Sequence, residues 1–361
     1  MESKRILILF QPHRSYQGSL LQMLVEAIKI KGYEVEYVDI TNKPVYQYHT
    51  ITDRIRNIYQ RRIHKNKEFI LTLEAEFYNR YYYKKIKEFK LTHSTKFDYI
   101  LVIKPEEFTE KVIKEIVALG EKSVGFIWDG LRLFLKANLK KNKRHLDNVY
   151  SFDTNNIKEH PELKLDFCTN FGVFNKEIIP YQERKFDLFY IGDLAGTLES
   201  QRRDKKLHRL LQNIGGHIDV NILFRENEKR IEKIQHSNIK YIETFIPMEE
   251  ALEKTQNSKI VIDICKAHHI GLSFRFFECL ATETKMITNN KDVINYDFYH
   301  PDNIMIIDFD SDILDEKTYN TFLAKPYEKI NSEIIEKYSI NNWLNYMFKV
   351  DSFERIAKIN L

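Results

Sequence analysis

The sequence predicts an α/β protein made of two Rossmann-like domains in succession. Three observations carry this. Apolar runs of strand length alternate with stretches whose apolar residues recur at helical spacing, the pattern of parallel sheets covered by helices. The alternation lapses between Asp166 and Lys185, which holds Pro180 and has no clear period, and it restarts at Phe186. Ile51 to Phe89 is helical in pattern, basic, rich in tyrosine and free of Gly and Pro, too long for a simple crossover. It reads as a helical insertion in the first domain.

In the first series Arg5–Phe10 is an apolar strand that runs into Gln11-Pro12-His13. Ser19–Lys31 is a helix closed by Gly32, because glycine accepts the left-handed conformation that ends helices. Tyr33–Ile40 alternates and reads as the next strand; Asp98–Ile103, Ser123–Trp128 and Val149–Phe152 follow. In the second series the expected strands are Phe186–Ile191, His217–Phe224, Ile239–Phe245, Lys259–Ile264, Lys285–Thr288 and Asn303–Ile307. Helices are expected at Arg202–Ile214, Glu228–Gln235, Met248–Gln256 and Phe274–Ala281. Ser332–Ile359 is helical in pattern with no strand to serve, and is expected to cross back to the first domain. The domains so defined are residues 1–170, with the insertion at 51–90, and residues 186–331, followed by C-terminal helices over 332–361.

A chain of 361 residues can bury two cores, and 43% hydrophobic with 30% charged residues is a globular composition. No apolar run approaches the ~20 residues that span a bilayer. Met1 to Phe10 passes straight into a strand without a signal-like apolar segment, so a cytoplasmic location is expected. Cys168, Cys265 and Cys279 form no CxxC pair or metal-ligand spacing and read as reduced thiols. No metal site and no cofactor is expected. The net charge of +4 is modest but uneven. Arg54, Arg56, Arg61, Arg62, Lys65 and Lys67 form one basic stretch; Lys136, Lys140, Lys141, Lys143 and Arg144 form another. Such clusters suit either a solvated helix face or phosphate groups.

The segment richest in chemistry is Gly271-Leu272-Ser273-Phe274-Arg275-Phe276-Phe277-Glu278, in the loop and helix that follow the strand ending at Ile264. Open α/β sheets bind ligands at the carboxyl ends of their strands. A helix N-terminus there offers free N–H groups and a positive dipole end to a phosphate. Gly271 would let the backbone approach that phosphate. Glu278 can accept both vicinal hydroxyls of a ribose. Arg275 can neutralise a phosphate or pair with Glu278. The plain alternative is an intrahelical Arg–Glu pair of no functional consequence.

Gly271 to Glu278, with Ile287-Thr288-Asn289-Asn290 and Tyr296 to Ile304, resembles the C-terminal domain of bacterial GT-B glycosyltransferases. The likeness is to the lipopolysaccharide and capsule biosynthesis type and the CgeB-like group. It runs from Lys259 to Ile307, is supported by Asp187–Gly192, and fades to architecture in the first domain. The resemblance implies two facing Rossmann-like domains. The helix would hold the donor nucleotide, and the Ile-Thr-Asn strand would line the cleft. A nucleotide-sugar substrate is implied, UDP-linked being the commonest choice, with a growing surface glycan or lipid-linked glycan as acceptor. Other donor-side candidates are Gly192 after the first strand of the second series, Arg225 at the end of the next, and His269 in the loop before Gly271.

On the acceptor side His13 and Asp129 each follow a strand of the first domain and are the rival general bases of an inverting transfer. Their plain readings are a loop histidine and a helix-capping aspartate. Trp128 could stack on a sugar or fill a core. The basic stretches could rest the enzyme on an anionic inner membrane leaflet as a peripheral protein. The other readings are a sugar-nucleotide epimerase on the same fold and a nucleic-acid-binding protein. The modest charge argues against nucleic acid as a partner.

Overall fold

The computed structural model describes residues 3–10, 17–40, 43–47, 50–66, 69–128, 130–131, 135–174, 177–194, 202–224, 228, 231–244, 246–265, 270–356 and 358. The first half contains β1 (Arg5–Phe10), α1 (Gln17–Ile30), β2 (Glu34–Tyr37), α2 (Ile51–Arg62), α3 (Phe69–Thr92) and β3 (Phe97–Ile103). After them come α4 (Glu110–Val117), β4 (Gly120–Ile127), α5 (Lys136–Asn142), β5 (Asn148–Ser151), α6 (Thr154–Glu159) and β6 (Asp166–Phe167). The second half opens with β7 (Phe186–Asp193), α7 (Arg203–Leu211), β8 (Ile218–Leu223), β9 (Ile239–Ile242), α8 (Met248–Gln256) and β10 (Ser258–Asp263). It closes with α9 (Phe274–Ala281), β11 (Lys285–Thr288), β12 (Ile304–Ile306), α10 (Glu316–Ala324), α11 (Ser332–Lys337) and α12 (Ile340–Phe348).

Chain contacts divide the protein into two compact units. The first takes in β1, Leu21–Ser151 and His160–Asp166; the second takes in Phe152–Glu159 and Phe167–Leu361, so α6 and the C-terminal helices group with it. Each unit is built on a six-stranded sheet. In the first the order is β2-β1-β3-β4-β5-β6, with the β2-β1-β3-β4-β5 ladders parallel. Its central strands are apolar nearly throughout because helices cover both faces: Ile6 to Leu9 and Ile100 to Ile103 are fully buried.

In the second unit all ladders are parallel and the order is β12-β11-β10-β7-β8-β9. Numbered within its own series that is 6-5-4-1-2-3, the doubly wound Rossmann order. The chain therefore reverses its direction of travel across the sheet between β7 and β10. At such a switch point the connections leaving two neighbouring strands diverge to opposite faces, and a crevice opens at the strand ends. A core of Leu188, Tyr190, Val220, Ile222, Ile260, Ile262 and Ile287 holds this sheet against its helices.

Several expectations need correction. Residues 231–236 are not helical, so the helix expected over Glu228–Gln235 does not run through 231–235; Ile234 N–H instead bonds the Tyr241 hydroxyl at 2.9 Å. β7 runs past Gly192 to Asp193, with Gly192 paired to Ile222 inside the ladder. The C-terminal stretch is two short helices, and 349–356 has no helix. α10 was not expected at all. The insertion splits into α2 and α3.

Candidate functional site

The second unit has a cavity of about 290 Å³ at the switch point. Tyr190, Ile191, Gly192 and Asp193 line it from β7, Asp263 and Ile264 from β10, and Ser273 to Arg275 with Glu278 from α9. Arg203, the first residue of α7, completes its charged lining.

α9 is aimed by the residues around its start. Phe274 packs edge-on against Phe171 (ring centres 5.3 Å apart), which in turn meets Trp343 of α12 at 4.6 Å. Asn170 donates to the Leu272 carbonyl at 2.9 Å. Asn290, after β11, donates to the carbonyls of Ile270 and Gly271 at 3.3 Å each, and Asp153 accepts from Ile270 N–H. Asn289 accepts from Cys265 N–H at 2.8 Å. Asn289 and Asn290 thus hold Cys265 after β10 and the Ile270–Gly271 backbone just before α9.

The two glycines are explained by packing. A Cβ on Gly271 would lie 2.6 Å from the Phe152 ring and 2.8 Å from the Phe152 carbonyl oxygen, so a neighbouring backbone demands glycine there. On Gly192 a Cβ would collide with the phenol of Tyr190, which sits on the same face of β7.

The charges are placed unevenly. Arg275 donates to the Ile262 carbonyl at 3.0 Å and the Ile191 carbonyl at 2.8 Å, bridging β10 and β7 across the switch point. It forms no ion pair with Glu278. Arg203 binds Asp193 and donates to the Ile264 carbonyl at 2.9 Å, so a second cation spans the same two strand ends. Asp263 accepts from Ser273 Oγ at 2.8 Å. Glu278 is half-buried, and its carboxylate accepts no hydrogen bond from any described residue. Burial raises its pKa above the usual carboxylate value; Arg275 pulls the other way, and Asp263 adds to the rise.

Of the sequence-derived candidates, Gly192, Arg275 and Glu278 come together here. Gly271 is not a lining residue but shapes the loop into α9. His13, Asp129, Arg225 and His269 lie outside the described residues. Trp128 stands edge-on to Phe10, ring centres 4.8 Å apart. Sequence reasoning missed Arg203, Asp193 and Asp263. For Asp263 a signal existed: a carboxylate that follows the apolar run Ile260-Val261-Ile262, eleven residues before the first residue of α9. Among the described residues no three His, Cys, Asp or Glu side chains gather as a metal site.

No protein-family model and no curated protein matches the chain. Solved structures do. An α-glucosyltransferase in complex with UDP and a 13-mer DNA containing an HMU base aligns with 89% of this chain and 90% of its own, at 13% identity and a TM-score of 0.55. The fold shared with this neighbour is α/β, with two Rossmann-like units. An α-glucosyltransferase in complex with UDP aligns with 96% of this chain and 94% of its own, at 13% identity and a TM-score of 0.52. A candidate UDP-N-acetylglucosamine 2-epimerase from Listeria monocytogenes covers 98% and 100%, at 12% identity and a TM-score of 0.50. At these identities the likeness is one of fold.

Proposed function

We propose that this chain is a GT-B glycosyltransferase that moves a sugar from a nucleotide-sugar donor, UDP-linked, to a growing bacterial surface glycan or lipid-linked glycan. The observation that carries the reading is the cavity between the ends of β7 and β10, lined by a carboxylate with no hydrogen-bond partner among the described residues, by two arginines and by the start of a helix. In this reading Glu278 accepts the two ribose hydroxyls. The N-terminus of α9, with Arg203 and Arg275 near it, offsets the negative charge that develops on the leaving nucleoside diphosphate. No metal or cofactor is required by that arrangement, since fixed cations and a helix dipole supply the electrostatic stabilisation. His13 and Asp129 stand as the candidate bases that would take the proton of the acceptor hydroxyl. Arg225 and His269 stand as further donor-side contacts. The likeness of Gly271–Glu278 to the lipopolysaccharide and capsule enzymes supports a glycan acceptor at the cytoplasmic side.

The test is thermal unfolding of the wild type and Glu278→Ala with UDP, GDP, CMP, CDP and dTDP in turn. A nucleotide at ~100 times its Kd adds about 2.7 kcal/mol to the native state. One nucleotide should raise the Tm of the wild type and not that of the variant. A Tm unmoved by every nucleotide would sink the proposal. Conversion of the sugar nucleotide without any acceptor would transfer the site to epimerase chemistry.

A further inference from the structure

The helix α2 is amphipathic the wrong way round for a helix held only by its own protein. Its polar side faces the first unit. Arg56 makes a two-pronged pair with Glu76 of α3, both bonds at 3.0 Å, and Asn57 is buried. Thr50 caps its first turn by accepting from Asp53 N–H at 3.1 Å. Its apolar side faces solvent: Ile51 is 77% exposed, Ile55 60%, Ile58 53%, Tyr59 53% and Ile63, just past its end, 63%. Ile51, Ile55 and Ile58 recur at i, i+4 and i+7, so they stack along one face, and Arg62 follows at i+11. Arg61, Arg62 and Lys65 are exposed on and beside that stripe.

We propose that this face of α2 docks on an anionic lipid bilayer, lying in the headgroup plane with its isoleucines in the acyl boundary. Charge complementarity selects the occupant. Residues 51–66 carry five arginine and lysine cations against one carboxylate; Arg56 is taken up by Glu76, and Arg61, Arg62 and Lys65 are the exposed cations at the stripe, a composition that suits negatively charged leaflets. Arg62 sits within the apolar stripe, where its long stem can lie along the isoleucines while the guanidinium reaches a lipid phosphate. A nucleic acid would have no use for exposed isoleucines, and an apolar protein groove would have to bury Arg62 unpaired. In the second basic stretch two of the five cations are engaged within the protein: Lys136 pairs with Glu162 at 2.6 Å and Lys143 donates to the Lys164 carbonyl. The inference stands on α2 alone and does not require the transferase reading.

The test is flotation of the full chain with vesicles of phosphatidylcholine, with and without phosphatidylglycerol, for the wild type, I55S/I58S and R61Q/R62Q. All four side chains face solvent, and unchanged circular dichroism and Tm would establish that the variants remain folded. The wild type should float only with phosphatidylglycerol vesicles and lose binding at high salt. Each pair of substitutions should cut the bound fraction about tenfold. Absence of flotation, equal flotation without phosphatidylglycerol, or flotation indifferent to I55S/I58S would each overturn the proposal. So would a concentration-dependent dimer abolished by I55S/I58S, which gives the face to a second copy. Salt-sensitive oligonucleotide binding lost in R61Q/R62Q but kept in I55S/I58S would give it to nucleic acid.

Discussion

Glu278 is held in a position that only a partner makes comfortable: half out of water, in a cavity, with no described donor to its carboxylate. Because burial raises its pKa in the folded chain, the folded state holds that proton more tightly than the unfolded state does. Stability contributed by the neutral acid is therefore full below the ordinary glutamate pKa and is lost as pH rises through the raised folded value. Glu278→Gln removes the ionisation and keeps the shape. At neutral pH the ligand-free variant should melt higher than the wild type, by about 2–4 °C, the effect of roughly 1 kcal/mol in a unit of this size. Near pH 4 the gap should close. The same variant should bind nucleotide about tenfold more weakly, having lost a charged acceptor. A plain structural role would move both readings the same way, so melting curves and titrations on one protein decide it. The pairing of Glu278 with a glycine-led helix start was legible in the sequence because both lie within eight residues. Arg203 was not legible. It reaches the cavity from the start of another helix, and only the fold brings its guanidinium to the ends of β7 and β10.

At the scale of elements, the stretch between the two series reads in sequence as a linker without period, yet it ends in a tightly used side chain. Arg184 is buried and donates to the carbonyls of Ile179 (3.1 Å), Ser258 (3.0 Å) and Thr282 (2.8 Å) and to Thr284 Oγ1 (3.0 Å). It ties the entry of β7 to the start of β10 and the turn between α9 and β11. Burial lowers its pKa, though nothing within reach of neutral pH would discharge it. Arg184→Ala takes the donor from two buried carbonyls, those of Ser258 and Thr282, and from the half-buried one of Ile179, and should cost about 3 kcal/mol or more. Arg184→Lys should recover little of this, because an ammonium cannot imitate the planar fork. The urea midpoint of each variant measures it, and a midpoint equal to wild type for Arg184→Lys would refute the geometric argument. Periodicity cannot reveal such a residue, since its partners are backbone atoms that every sequence possesses. The same blindness explains the misread Glu228–Gln235. Its helical spacing is real, but Tyr241 takes the Ile234 N–H and the chain stays irregular.

At the scale of the whole molecule, the sequence pattern predicts two series of strands but not their order within each sheet. Order depends on which strand pairs with which across long separations, and alternating apolar runs look alike. The switch point, and hence the cavity, became visible only with β10 seated beside β7. Every residue lining that cavity belongs to the second unit. A ligand stabilises whatever must unfold to release it. Calorimetry of the full chain should therefore resolve two transitions, one of which climbs with nucleotide concentration while the other stays fixed. Substituting Glu278→Ala should make both indifferent to nucleotide. One transition that shifts as a whole would show the two units unfolding together. A shift confined to the transition that Arg184→Ala leaves untouched would place the nucleotide in the first unit, against the site argued from β7, β10 and α9.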